Sequence, residues 1–281
     1  MSKYDSRLVN FHEYGKGTSI IILSGGPGND CHQEEEVALE IAKKYHAILI
    51  EQRGTGISMP TSLSSENITL EFAKKDILFL IDSLRLGKVI IYGHSWGALL
   101  ATAFALDYPE KVTSLIFVGP GPMSMDSKYW NQIRKNRVTK LSEVQVKRYM
   151  ELSFKSNLKT IAENESKELL AIKNFMNVYD TSNKDEVYAK INRGVANAET
   201  YDLMIRDLTR INFNLTEKIS TLKMPVTIIT GKEDPLAFLT TAFQESAPNT
   251  KVYWIEKSGH FPMYENSKDF YPKLFEALVL K

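Results

Sequence analysis

The segment "GHSWG", residues 93–97, sets a serine between two glycines, after an apolar run and before an alanine- and leucine-rich stretch. A serine hydroxyl is a weak nucleophile until a base takes its proton, and that base needs a third group to orient its ring. Two later segments offer such groups. "VTIITGKEDPL" leaves an apolar run at Thr230 and carries Asp234, and "KVYWIEKSGHFPMYE" leaves one near Ile255 and carries His260. Ser95, His260 and Asp234 are therefore the expected nucleophile, general base and orienting acid of an acyl transfer. Taken singly they read as a turn serine, a loop histidine and an aspartate opening a proline turn. Their shared position, each just past an apolar run, is what joins them. Glu233 is the competing acid. His94 lies inside the serine turn, and His12, His32 and His46 precede it without a partner signal, so these four read as structural or solvated.

Acyl transfer places negative charge on a former carbonyl oxygen, which needs preorganised N–H donors. The residue after the nucleophile, Trp96, supplies one. The loop "LSGGPGND", residues 23–30, supplies the other from Gly26, with Gly25 shaping the loop against the substrate. Three glycines and a proline within five residues let backbone approach a ligand closely. These groups require neither a cofactor nor a metal.

Such residues must be held by rigid elements. Continuous rather than alternating apolar runs at 19–23, 47–50, 88–92, 114–118, 226–230 and 251–255 predict strands covered on both faces, as in a parallel sheet. Helical spacing over 34–44, 69–84, 96–107 and 267–280 places helices between them. Residues 7–14 alternate and predict an antiparallel edge strand. The pattern predicts an α/β fold: a doubly wound, mostly parallel sheet with an all-helical cap inserted after the sixth core strand, the one ending at Val118. The core spans 1–120 and 213–281, and the cap spans 121–212. Within the cap, 142–158, 161–176 and 185–208 read as successive amphipathic helices lying over the carboxyl ends of the strands, where open α/β sheets bind ligands.

Composition excludes several function classes. The 281 residues are 43% hydrophobic and 25% charged, ordinary values for a globular chain. Thirty-five basic against thirty-four acidic side chains leave +1, too little field to gather nucleic acid or an anionic membrane. The expected partner is a small molecule or a short peptide, with the oligomeric state open. Cys31 is the only cysteine, so no intrachain disulfide is available. The amino terminus lacks the apolar block of a signal peptide, and no apolar run reaches the roughly 20 residues of a membrane span. A cytoplasmic protein is expected.

Over nearly its whole length the sequence resembles the α/β-hydrolase superfamily, whose triad runs in the order Ser, Asp, His. Within it the likeness is to the proline iminopeptidase-like serine aminopeptidases, carried by "SGGPG" (24–28), "EQRGTGIS" (51–58), "GHSWGALLA" (93–101), "GKEDP" (231–235) and "SGHFPMYE" (258–265). The resemblance implies Ser95, Asp234 and His260 as the triad, Gly26 and Trp96 as oxyanion donors, and Gln52 and Arg53 as braces of the loop. Ser24 and Glu51 stand where the family usually has histidine and aspartate. Pro235 stands where some members carry an amine-binding glutamate. Glu199, in "ANAETYDL", falls near another such glutamate of the family, and its alternative is a solvent-facing helix residue. The function implied is a serine hydrolase, first an aminopeptidase releasing N-terminal residues, proline-type, from small peptides. The alternatives are a carboxylesterase, lactone or C–C hydrolase, and a ligand-sensing signalling protein on the same fold.

Overall fold

The computed structural model describes residues 4–179 and 184–279. Its strands are β1 (Asn10–Gly15), β2 (Ser19–Leu23), β3 (His46–Glu51), β4 (Val89–His94), β5 (Val112–Val118), β6 (Val226–Gly231) and β7 (Lys251–Ile255). Around the sheet run α1 (Glu35–Ile41), α2 (Leu70–Ser83), α3 (Trp96–Asp107), α9 (Ala237–Ser246), α10 (Pro262–Glu265) and α11 (Ser267–Val279). The cap holds α4 (Ser127–Val138), α5 (Glu143–Asn157), α6 (Glu163–Asn177), α7 (Lys184–Ile191) and α8 (Ala198–Arg210). Leu280, expected at the end of the last helix, lies outside the described residues. Among the described residues no helix is long and apolar enough to cross a membrane.

The strands lie in one sheet in the order β1-β3-β2-β4-β5-β6-β7, with β1 antiparallel to β3 and every other pair parallel. Alternate residues of each strand feed two separate cores. Ile21, Leu23, Ile91 and Phe117 pack with Ile77, Leu80 and Phe104 of α2 and α3 on one face. Ile20, Ile22, Tyr92 and Ile116 pack with Val37, Ile41, Phe270 and Leu274 of α1 and α11 on the other. This two-sided burial is why the strands read as unbroken apolar runs.

Chain direction fixes where a ligand crevice opens. From central β2 the chain goes out to β3, then returns across the sheet to β4 on the other side of β2. The loops leaving β2 and β4 therefore diverge at a topological switch point, the usual crevice of such sheets. Leu23 and Gly93 are paired neighbours there, so the Gly-rich loop and the serine turn start side by side.

The cap departs after Val118, the end of the fifth strand in the chain and not a sixth, because a single strand precedes β2. Its neck is a short antiparallel bridge, Ser124 with Asn214, flanked by Met125 N–H to Phe213 O at 3.0 Å and Leu215 N–H to Met123 O at 2.8 Å. The segment read as helix over 185–208 is broken between Ile191 and Ala198. At the break Asn197 caps α8 through its side chain and gives its N–H to Gly28 O at 2.7 Å, which anchors the helix on the loop after β2.

Candidate active site

Ser95 joins β4 to α3 with φ 51° and ψ −110°, a positive φ that a serine adopts only where its surroundings enforce it. Packing does so. A Cβ on Gly93 would lie 2.5 Å from Gly97 O, and one on Gly97 would lie 2.3 Å from Leu23 O. The two glycines thus let strand, turn and helix interpenetrate. Ser95 N–H is fixed to Val118 O at 2.9 Å. Trp96 is the first residue of α3, so its N–H belongs to the helix end that has no intrahelical acceptor.

Asp234 follows β6 and His260 follows β7, both buried. His260 Nδ1 lies 2.8 Å from Asp234 Oδ2, while Asp234 Oδ1 accepts Leu236 N–H at 2.7 Å. With Nδ1–H held by the carboxylate, Nε2 keeps its lone pair for an incoming proton. Burial alone would raise the Asp234 carboxyl, but the His260 charge and these hydrogen bonds hold it below the usual range. Burial lowers the His260 imidazole, and His94 and Arg137 push the same way against the pull of Asp234. Glu233, the competing acid, is exposed. The hydrogen bonds of the described residues do not join Ser95 Oγ to His260, a contact that tightens in many hydrolases only when substrate is bound. A Cβ on Gly119, at the end of β5, would meet Asp234 Oδ2 at 2.9 Å and His260 Nδ1 at 3.1 Å, so the bare glycine makes room for the pair.

Of the two residues expected to brace the loop, Gln52 contacts it and Arg53 is held against α2 instead. Gln52 donates to Ser24 O and Ser24 Oγ, both at 2.9 Å, and its Oε1 accepts the Trp96 indole N–H at 2.8 Å. One side chain thus ties the Gly-rich loop to the serine turn. Arg53 forms a buried ion pair with Asp76, which also accepts the Tyr4 hydroxyl at 2.9 Å. The His94 ring lies against that of His260 at a tilt of 43°, and its Nδ1 is 2.8 Å from the buried Glu34 carboxylate. Glu265 accepts Gly259, Phe261 and Tyr179 N–H at 3.0, 3.1 and 2.6 Å and so clamps the His260 loop. Glu34 carries no local motif, since its partners Tyr92 and His94 lie far along the chain, whereas Glu265 ends the segment 258–265 and only its contact with Tyr179 is distant in sequence.

Ser95, Gly26 and Trp96 line one cavity of about 180 Å³ beneath the cap. Its walls come from Leu99 of α3, Trp130, Ile133 and Arg137 of α4, Tyr201, Ile205 and Leu208 of α8, and Leu236. Gly25 lies behind this wall, where a Cβ would meet His94 Nδ1 at 3.0 Å. Glu199 does not join the cavity, being exposed in the first turn of α8. The spacing 130, 133, 137 is helical and was available in the sequence. It lay in a segment between the neck and residue 142 where no helix was expected.

Comparison with known proteins agrees with this architecture. Residues 18–267 match the alpha/beta hydrolase fold family. The chain is 29% identical over 278 residues to a proline iminopeptidase of Heyndrickxia coagulans, covering 92% of this chain and 90% of that one. Among solved structures, an alpha/beta fold family hydrolase from Bacillus anthracis superposes with TM-score 0.76 at 19% identity, covering 95% of this chain and 94% of that one. A thermophilic esterase from Thermogutta terrifontis superposes with TM-score 0.70 at 19% identity, covering 96% of this chain and 92% of that one.

Proposed function

Since the chain belongs to the alpha/beta hydrolase fold family, we propose that it is a serine hydrolase working through an acyl-enzyme on Ser95. The observation that carries the reading is the Asp234–His260 pair, at 2.8 Å, set at the same sheet edge as a serine held at positive φ. In this reaction His260 Nε2 takes the Ser95 proton as Oγ attacks an ester or amide carbonyl. The N–H groups of Gly26 and Trp96 receive the oxyanion. His260 then returns the proton to the leaving group, and a water activated by the same imidazole releases the acyl group. The cavity compares with the ~150 Å³ that accommodates a benzene ring, so the substrate is a small molecule and not a folded protein.

An aminopeptidase reading draws support from the proline iminopeptidase relatives. It requires a carboxylate for the substrate ammonium, because a buried cation is stable only when paired. Among the described residues no acidic side chain lines the cavity, which weighs against Glu199 or another described carboxylate in that role. Small esters therefore come first. Rapid labelling by a fluorophosphonate with multiple turnovers on 4-nitrophenyl butyrate supports the hydrolase. Fast labelling with negligible turnover on esters and on proline and alanine naphthylamides would favour a ligand-sensing protein instead. Labelling that persists in Ser95→Ala would overturn the nucleophile assignment.

A further inference from the structure

The polar inventory of the cavity is one-sided. Arg137 is the single charged residue of its lining, placed one helical turn beyond Ile133 on the face of α4 that covers Ser95. Its Nε donates to Asn177 Oδ1 at 3.0 Å, and among the described residues its terminal amino groups have no hydrogen bond and no ion pair. Asp234, the carboxylate whose field it feels, is already engaged by His260 Nδ1 and Leu236 N–H. Burial lowers the half-buried Arg137 guanidinium from its ordinary value, and the field of Asp234 opposes this only in part. Trp130, seven residues earlier on the same face, has a buried indole N–H without a partner among the described residues. The cap wall therefore offers spare donors and a positive charge, and among the described residues no acidic side chain pairs with them.

We propose that the substrate carries a carboxylate, and that Arg137 receives it under the cap while the scissile carbonyl sits at Ser95. This rests on the acyl-transfer reading given above. A guanidinium presents paired N–H groups in a planar fork that matches the two oxygens of a carboxylate, so it fixes orientation as well as charge. An ammonium in the same place would face a cation. The substrate class is thus a small ester or amide of a molecule with a second, free acid group, such as a dicarboxylic acid monoester.

Two arms test this. In the first, kcat/KM is measured for two esters of equal acyl length, 4-nitrophenyl hydrogen glutarate and 4-nitrophenyl pentanoate, with wild type, Arg137→Lys and Arg137→Met. The wild type should favour the acid ester at least about tenfold, Arg137→Lys should retain part of that ratio, and Arg137→Met should lose it. A wild-type ratio near one, or a ratio unchanged in Arg137→Met, overturns the proposal. In the second arm, calorimetric titration compares 3-phenylpropionate with 3-phenylpropionamide on the Ser95→Ala protein, with and without Arg137→Met. Tighter binding of the acid that disappears in Arg137→Met supports the anion site even if no ester is turned over, in which case the hydrolase reading alone has failed. Equal binding of acid and amide by folded Ser95→Ala protein, verified by its circular dichroism, counts against the anion site whatever the turnover.

Discussion

His94 lies directly against His260, with ring centroids 5.0 Å apart and His94 Nε2 3.0 Å from the His260 carbonyl oxygen. Behind it, Glu34 Oε1 is 2.8 Å from His94 Nδ1, and Glu34 Oε2 accepts the Tyr92 hydroxyl at 3.1 Å. Burial by itself would lower His94, but the Glu34 carboxylate and the His260 carbonyl outweigh it and hold the imidazole above its ordinary value. The raised His94 imidazole lies beside His260, and its charge is among the groups that push the His260 imidazole down. Glu34→Gln removes the counter-ion, so His94 loses its proton at lower pH and His260 rises. The acid limb of kcat/KM, which lies below the ordinary histidine value in wild type, should move to higher pH, while the alkaline plateau changes less. A pH–rate profile checks this, and an unmoved acid limb in a folded Glu34→Gln protein defeats it.

The acid of the triad is open to a paired test. Asp234 is buried and holds His260, whereas adjacent Glu233 is exposed. Asp234→Asn should cost on the order of 10⁴-fold in kcat, because the amide favours the wrong imidazole tautomer. Glu233→Gln should leave kcat within about twofold, as surface substitutions away from a site do. Steady-state rates on one ester separate the two residues.

The sheet was legible because its strands are buried on both faces and so appear as unbroken β-branched runs, as with Ser19–Leu23. Ser95, Asp234 and His260 stand out in the sequence because each follows such a run. Local pattern said less about the cap, where helix boundaries depend on docking. α7 ends at Ile191 and Asn197 starts α8, its backbone bound to Gly28 O and its side chain to Gly54 O at 3.2 Å, contacts no local window contains. Arg137 carries no signal in the sequence, because a charge on a helix reads as solvated and only the folded chain sets a cavity over the same face. His94 read as structural for a similar reason, since Glu34 and His260 lie far from it in the chain. Glu199 shows the converse, a suitable residue type at a suitable place in sequence, set on the solvent side of its helix.

The serine turn has little room for change at Gly97. A Cβ there would sit 2.3 Å from Leu23 O and 2.9 Å from Leu23 C, both backbone atoms of the central strand, which cannot rotate away. Gly97→Ala should therefore cost about 3 kcal/mol or more of stability, in the range of severe overpacking. Ala98→Gly, one position on in α3 and fully buried, should cost about 1–2 kcal/mol through helix propensity and the loss of one buried methyl. Urea unfolding of both variants gives the comparison, and equal losses would mean that the strand and helix can separate.

Gln52 provides the last test, because its three hydrogen bonds join the Gly-rich loop at Ser24 to Trp96, the two proposed sources of oxyanion donors. Gln52→Leu keeps much of the side-chain volume but strands the Trp96 indole N–H and the Ser24 carbonyl in a buried setting. Stability should fall by about 1–3 kcal/mol. If the side chain acts only on folding, kcat of the surviving folded protein stays near wild type. If it aligns Gly26 with Trp96, the loss appears in kcat and not in KM, because the N–H pair is built for the transition state rather than for the ground-state carbonyl. The expected fall is about 10-fold to 100-fold, below the roughly 10²–10³ of deleting an oxyanion donor outright, since the donors here are displaced and not removed. Steady-state kinetics at a temperature where the variant is fully folded distinguishes the two outcomes, and Gln52→Glu, which retains the acceptor for Trp96 but loses the donor to Ser24, shows which half of the brace matters.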